Sequence, residues 1–453
     1  MLTPVAIILA GGANRRFWPL TQKSLLSFGN DTLLDRRIDE LARAGFSDVI
    51  LVANPDNADR MREAASRASG RAHVVIQAEP FGMGDAVLQC ATLLEGLYAS
   101  SPVFVNQVHD LVDPAIFRTI RGRLDADDAD AFVVGVRLDR YFPGGYLSVS
   151  GDLATSVVEK PPPGTEPSNL MKIVADLVRE PHALLTALRA VNPNPSDQYE
   201  QAWAQLMANR RVRIVSYDGP WVPIKYAWDV LRATALILDG LPAGLERADD
   251  VVIHPHATVS GHVRLGRGVK IFAGGAVVGP AIIGDGTIIG NGALVRGSIV
   301  GARCIVGFGA EIARSYVGNG CEFHTNYVGD SVLGDDVAFG SGTVTANLRL
   351  DERSIRIAVD GSRVDTGMTK IGALIGAHAR TGINVSLMPG VRIGSGSAVG
   401  PGVHLHRDVP NGRLVTARQD LEDRPNPFTI DGDGRGRFRN AIRNASSAVE
   451  KHA

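Results

Sequence analysis

At 453 residues the chain is too long for one ordinary hydrophobic core, so two or three domains are expected. Its 47 Lys and Arg nearly balance 48 Asp and Glu, which excludes a global field aimed at nucleic acid or an anionic membrane and leaves room for a local basic pocket and a small partner. The three cysteines, Cys90, Cys304 and Cys321, have neither paired nor metal-ligand spacing, the N-terminal apolar run is short and lacks a basic leader, and no later run approaches a membrane span; a soluble, cytoplasmic protein is expected. In chain order, Val5 to Ala10 reads as a buried strand. It runs into "GGANRRFWPLTQK" (11–23), where glycines let backbone N–H groups turn toward an anion and Arg and Lys supply charge; a surface turn with solvated cations has the same pattern. Leu34, Ile38 and Leu41 fall on one helical face, and "DVILVAN" (48–54), "HVVIQ" (73–77) and "SPVFVNQ" (101–107) read as strands, with helical "GDAVLQCATLL" (84–94) before the last. This alternation over residues 1–236 predicts a Rossmann-like α/β domain, its sheet mostly parallel and its ligands beyond the carboxyl ends of the strands.

A linker is expected over 237–250, and from 251 the pattern changes to a period of six. Ile253, Val259, Leu265, Ile271, Val277, Ile283, Ile289 and Val295 keep the step; Val300, Val306 and Ile312 follow after a one-residue shift, and Ile375, Thr381, Leu387, Ile393, Val399 and Leu405 resume it. A six-residue period is the signature of a left-handed parallel β-helix, in which three short faces make a coil and each hexad sends one apolar residue inward. The β-helix is expected over 251–407. Within it, 346–370, with charged "NLRLDERSIRIAVDGSRVD", is read as a loop or hairpin leaving the coil. Residues 408–453 are read as a cap and tail, with "RFRNAIRNASSAVEK" as a terminal helix.

The front motifs resemble those of sugar-1-phosphate nucleotidylyltransferases. "LAGGANRRFWPLTQK" is similar to their LAGGxGTRLxPLT signature, "QAEPFGMGDAV" (77–87) to their nucleobase segment, and "PGGYLSV" (143–149) and "VVEKPPPG" (157–164) to their sugar-binding Gly and Glu-Lys-Pro. The resemblance implies in-line attack of a sugar 1-phosphate on a nucleoside triphosphate, with Mg²⁺ at Asp110. It implies Arg16 and Lys23 on the triphosphate, helped by backbone N–H groups at Gly11 and Gly12. Gln77 and Gly82 would meet a uracil or thymine edge, Gly145 and Glu159 the sugar hydroxyls, and Lys160 the sugar phosphate. The chain departs from the pattern in two places. Asn14-Arg15 stands for Gly-Thr, and in "GPWVPIKYAWDVL" (219–231) Pro223 and Lys225 occupy the places of the Asp, a second metal ligand, and the Gly in the Trp-x-Asp-x-Gly of relatives, with Asp229 at another offset. Lys225 is expected to contact a phosphate directly.

"CEFHTNYVGDSVLGDDVAFGSGTVTANLRLD" (321–351) resembles the acetyltransferase site of bifunctional N-acetylglucosamine-1-phosphate uridyltransferase/glucosamine-1-phosphate acetyltransferases and their archaeal relatives, in His324, Tyr327, Gly329, Asp330, Gly340, Gly342, Thr343 and Asn347. The resemblance implies His324 as the base that deprotonates an amino sugar, Tyr327 and Asn347 orienting amine or oxyanion, Arg296 on the sugar phosphate, and acetyl-CoA as acetyl donor. A lysine common in relatives is Ala313 here, with Arg314 beside it. The resemblance also implies a homotrimer whose clefts lie between coils, with 346–370 and Lys370 reaching a neighbouring subunit. The reading is a bifunctional nucleotidylyltransferase and N-acetyltransferase making a UDP- or dTDP-hexosamine. Two alternatives remain at this point: an acetyltransferase with a degenerate front half, and a non-catalytic oligomeric sensor of nucleotide sugars. The sugar and the nucleobase stay open.

Overall fold

The computed structural model describes residues 3–12, 14–193, 197–427 and 432–449. Residues 1–416 pack as one compact unit, and 417–453 form a second. The front half is built on a nine-stranded sheet. Four parallel strands, Ala72–Ile76, Asp48–Ala53, Val5–Leu9 and Val103–Gln107, start from one edge. Leu170–Val178 then runs antiparallel to the fourth, followed by Ala131–Arg137, Val212–Tyr217, Leu153–Glu159 and Gly145–Ser150. The sheet is therefore mixed, where a mostly parallel one was expected. The last two strands turn on each other at Gly151, φ 64°, a short connection that only an antiparallel pair allows.

Val5–Leu9 and Asp48–Ala53 are buried along their whole length, as strands covered on both faces must be. Helix Leu33–Arg43 opens with a capping box in which Thr32 and Asp35 exchange side-chain and backbone hydrogen bonds, and it buries Leu34, Ile38 and Leu41 together with one cation, Arg37. The helical segment expected over 84–94 is two helices, Gly82–Leu88 and Ala91–Glu95.

The back half is a prism of three all-parallel sheets with eight, nine and eight strands, as expected of a β-helix. The hexad residues from Leu265 to Val306 point inward and pack into one core with Val317, Phe323, Val328, Leu333 and Phe339, which the six-residue pattern skipped. Leu265 pairs with Ile283, a full coil of three hexads away, whereas Val317 pairs with Leu333 over a coil shortened at its corners. The ladder therefore never stops. Only its period drifts.

Three expectations about boundaries change. Helix Asp229–Asp239 crosses residue 236, and Leu245–Arg247, inside the expected linker, already pairs with Val263–Leu265 and ties Glu246 to Arg264 at 2.9 Å. At the other end Leu414–Val415, assigned to the cap, pairs with Ala398–Val399. The terminal helix runs Gly432–Val449, and Glu450 and Lys451 of the expected segment lie outside the described residues.

The excursion 346–370 is a hairpin of Arg356–Val359 and Ser362–Asp365, closed at its base by a bridge between Leu348 and Lys370. One face of it packs on this chain's own front half. Ile355, Ile357 and Val359 are buried in the same core as Trp228 and Leu231, and Arg232 Nη2 donates to Thr366 O at 2.6 Å. The charges that suggested solvent alternate with this apolar row, so one face of the strand is dry and the other wet.

Candidate functional site

Three of the parallel strands end at expected site residues: Val5–Leu9 before Gly11, Ala72–Ile76 before Gln77 and Val103–Gln107 before Asp110. The turn after the first is held from the next strand's end. Buried Asn57 donates Nδ2 to Ala10 O at 3.0 Å, Asn54 Nδ2 reaches Gly11 O at 3.3 Å, and the two asparagines bond each other's backbone. A Cβ at Gly11 would crowd both Ala53 O and Gln77 Oε1, at 3.2 Å from each. Asn14, at the place of a Gly in the signature, adopts the left-handed conformation, φ 53°, which Gly takes freely and Asn tolerates.

Beyond this turn lies a cavity of about 460 Å³ lined by Gly12, Asn14, Arg15, Arg16, Lys23 and His109. Its lining contains three cations and no carboxylate. Burial lowers the Lys23 ammonium to about 8, aided by Arg16 and Lys225 and opposed by Asp229 and Asp110. Burial, then Lys23 and Arg37, push the His109 imidazole well below its ordinary range. Sequence reasoning passed over His109 and gave Arg15 no role; both follow the strand ends where such sheets bind ligands.

Gln77 and Asp110 are buried and do not line this cavity. Gln77 Nε2 donates to Gly82 O at 3.0 Å and to Asp85 Oδ2 at 2.7 Å. Burial raises the Asp110 carboxyl to about 6, against the pull of Lys225, Arg37 and Lys23. Its backbone is fixed by Arg37, a residue the sequence did not flag: Nη1 donates to Gln107 O at 3.0 Å and to the Asn106 side chain, and Nη2 to Asp110 O at 2.8 Å. Pro223 stands directly across from Asp110 in a two-stranded ladder, where a second carboxylate would have faced it. Asp229 does not substitute, because its carboxylate accepts from Lys225 N at 2.9 Å and Tyr226 N at 2.8 Å and binds Arg232. Among the described residues no group of three His, Cys, Asp or Glu could form a metal cage. The single buried carboxylate of Asp110 is the donor type that a hard cation would take.

Lys225 Nζ donates to Pro143 O at 2.8 Å and lies 3.8 Å over the Phe142 ring, just before the sugar segment. Burial lowers it to about 8, with Asp110 opposing and Arg16 and Lys160 assisting. Gly145 pairs in register with Glu159, and a Cβ there would meet Val157 Cγ2 at 3.0 Å and Glu159 Oε2 at 3.3 Å. Lys160 forms an ion pair with Glu159. Buried Glu200, also unforeseen, stands behind them, its carboxyl raised to about 7 by burial and then by Glu159.

On the β-helix, Arg296, Ala313 and Gly329 occupy one register position on successive coils, with Tyr327 beside Glu311. Arg296 is paired with Glu311 at 2.7 Å. His324 is an exposed corner residue whose backbone N donates to buried Asn326 Oδ1 at 2.7 Å, while Asn326 Nδ2 binds Gly340 O and Thr343 O on the next coil. Asn347 Nδ2 donates to Tyr327 Oη at 3.3 Å and to Asp330 Oδ2 at 2.5 Å. Arg314 grips the same carboxylate twice, at 2.8 and 2.6 Å. Tyr327, Asp330 and Asn347 thus meet as expected, and the added member is Arg314. Ala313 is fully buried and offers nothing in place of the lysine.

Comparison with known proteins fits both halves. A bifunctional sugar-1-phosphate nucleotidylyltransferase/acetyltransferase of Sulfurisphaera tokodaii is 28% identical over 90% of this chain and 99% of its own. A bifunctional protein GlmU of Methanococcus maripaludis is 26% identical over 92% of this chain and 98% of its own. A solved UDP-glucose pyrophosphorylase from Acinetobacter baumanii is 20% identical, with a TM-score of 0.45 over 53% of this chain and 95% of that one. The sequence profile of the MobA-like NTP transferase domain matches residues 6–240, more than half the chain and the whole sheet that carries the cationic cavity, and the chain belongs to that family.

Proposed function

We propose that the chain is a bifunctional enzyme, a sugar-1-phosphate nucleotidylyltransferase in front and an amino-sugar-phosphate N-acetyltransferase behind. The observation that carries the front assignment is the cavity beyond the parallel strand ends, lined by Arg15, Arg16 and Lys23 and by no carboxylate. A sugar 1-phosphate oxygen attacks the α-phosphorus of the triphosphate in line; the new P–O bond forms as the bond to the leaving pyrophosphate breaks. Arg16, Lys23 and the N–H groups of Gly11 and Gly12 hold the triphosphate and offset the charge that builds up on it. Gln77 Oε1 accepts the N–H of a uracil or thymine edge above Gly82. Gly145 leaves room for the sugar, Glu159 binds its hydroxyls, and Lys160 and Lys225 hold its phosphate. Asp110 would hold Mg²⁺, which when bound supplies further neutralisation of the phosphates.

In the back half His324 takes the proton from the amine of the amino sugar. The nitrogen attacks the thioester carbonyl of acetyl-CoA, the C–S bond breaks, and the thiol of CoA leaves. Tyr327 and Asn347, oriented by Asp330 and Arg314, hold the amine and the oxyanion, and Arg296 holds the sugar phosphate. A homotrimer would supply the second wall of the acetyl-CoA cleft from a neighbouring coil. No helix among the described residues is long and apolar enough to cross a membrane, and the three thiols are free and buried, which suits the cytoplasm. The test is a screen of pyrophosphate release across four triphosphates and several sugar phosphates, together with thiol release from acetyl-CoA. His324→Ala should abolish thiol release and leave pyrophosphate release intact. Thiol release that survives in His324→Ala refutes the base assignment, and a wild type inactive with every triphosphate refutes the front assignment.

A further inference from the structure

The segment that carries Lys23 is anchored on the β-helix at both ends. At its start the indole Nε1 of Trp18 donates to Asn411 Oδ1 at 2.9 Å, and the Arg392 guanidinium covers the ring at 4.6 Å from its centroid. Neither partner is a loose surface group. Arg392 is buried and binds Asp408 through Nε at 3.1 Å and Nη2 at 2.6 Å, and Asn411 Oδ1 also accepts from Ser395 N at 3.1 Å. Next to Trp18, Pro19 O lies 2.7 Å from where a Cβ on Gly376 would stand, so only a glycine coil lets the segment this close. At its far end Phe28 packs on Tyr316 with centroids 5.2 Å apart, and Asn30 Nδ2 donates to Asp285 Oδ1 at 2.8 Å. Between these anchors Lys23 is partly buried on a single short turn, with the Phe17 ring 5.4 Å away.

From this we infer that Arg392 and Asn411 are positioning residues for the nucleotidyl-transfer site: by holding Trp18 they set where Arg16, two residues before it, and Lys23 stand against the triphosphate. The inference rests on the front-half reading above. A displacement of about 1 Å at a charge-stabilising group can cost a large rate factor, so a contact on the second domain is felt in the chemistry of the first. The acetyltransferase coils thereby form part of the front enzyme, and this link does not pass through His324.

The experiment uses the full chain and four variants, Trp18→Phe, Asn411→Ala, Asn411→Asp and the double Trp18→Phe/Asn411→Ala, with turnover and triphosphate affinity by calorimetry measured side by side. Loss of the indole hydrogen bond should weaken kcat/KM for triphosphate by about 5-fold in either single variant. The KM for sugar phosphate and the acetyl-transfer rate should stay put, because their residues are held elsewhere. The double variant should be no worse than the singles, and Asn411→Asp, which keeps the acceptor, should recover wild-type behaviour. Unchanged triphosphate affinity and turnover in both singles would overturn the inference. So would a double variant that multiplies the two losses, or a fall in kcat alone that tracks the folded fraction. An inactive wild type whose triphosphate affinity still drops in Trp18→Phe and Asn411→Ala would overturn the transferase reading and leave the clamp standing.

Discussion

Raising the pH should close the front reaction in two overlapping steps, one for Lys23 and one for Lys225. Both ammonium groups are brought down to about 8 from the usual 10.5, Lys23 by burial and Arg16, and Lys225 by burial, Arg16 and Lys160. If each must be charged to hold phosphate, Lys23 for the triphosphate and Lys225 for the sugar phosphate, the rate with both substrates well below their KM falls, one pH unit above that value, by about tenfold per lysine, so about a hundredfold for the pair, with a limiting slope near −2 on logarithmic axes. Lys23→Arg keeps its charge throughout the range, so the slope should relax to about −1 and the loss at the same pH to about tenfold. Stability should move the other way. Because the folded-state values lie below the unfolded ones, the unfolded chain binds more protons between about 8 and 10.5, and stability rises with pH across that window while activity falls. Pyrophosphate release with triphosphate and sugar phosphate both well below their KM gives the profile, and urea midpoints at the same pH values rule out unfolding as the cause. A profile still flat one unit above the expected inflection, or an unchanged slope in Lys23→Arg, would refute the reasoning.

Arg37→Met should lower stability by about 3–5 kcal/mol, because it strips a buried cation from the carbonyls of Gln107 and Asp110 and strands its partner Glu40. Urea unfolding would check this, and an unshifted midpoint would mean that the Asp110 loop is held by other contacts. Arg314→Gln should cut acetyl transfer by about 10- to 100-fold through the loosened Asp330 and Asn347, with pyrophosphate release unaffected. Thiol release at wild-type rate in that variant would show that Asn347 needs no such brace.

Much of the fold is legible in single residue types at fixed spacing. The hexad row from Leu265 to Val306 reads directly as a prism interior, because each inward position of a coil must be apolar and small turns must follow it. The reading lost the coil after Ile312 for a geometric reason: a corner can drop a residue without changing which side chain points inward, so Val317, Phe323 and Phe339 fall out of step in sequence and stay in line in space. The excursion 346–370 was legible as a hairpin, but its packing was not. Its charge count describes the wet face, while the buried row Ile355, Ile357 and Val359 repeats every second residue. The cationic turn at 11–23 and the cluster around Tyr327 were legible because chemistry and local backbone demand the same residues there.

Sequence alone determined what local geometry enforces. Strand ends that turn on glycine, an Asn able to take a left-handed φ at position 14, the β-helix repeat and the constellation of Tyr327, Asp330 and Asn347 each need only neighbours in the chain or one coil away. Tertiary structure decided everything that depends on distant partners. Arg37 became the brace of Asp110, Asp229 a backbone cap and not a ligand, and Arg314 a clamp on Asp330. The hairpin turned inward onto the front half, and Trp18 met Arg392 and Asn411. A buried charge or an indole N–H shows in sequence only as a residue type. Its role is set by which unpaired group the fold brings within hydrogen-bonding distance, and no spacing along the chain encodes a pair such as Trp18 and Asn411.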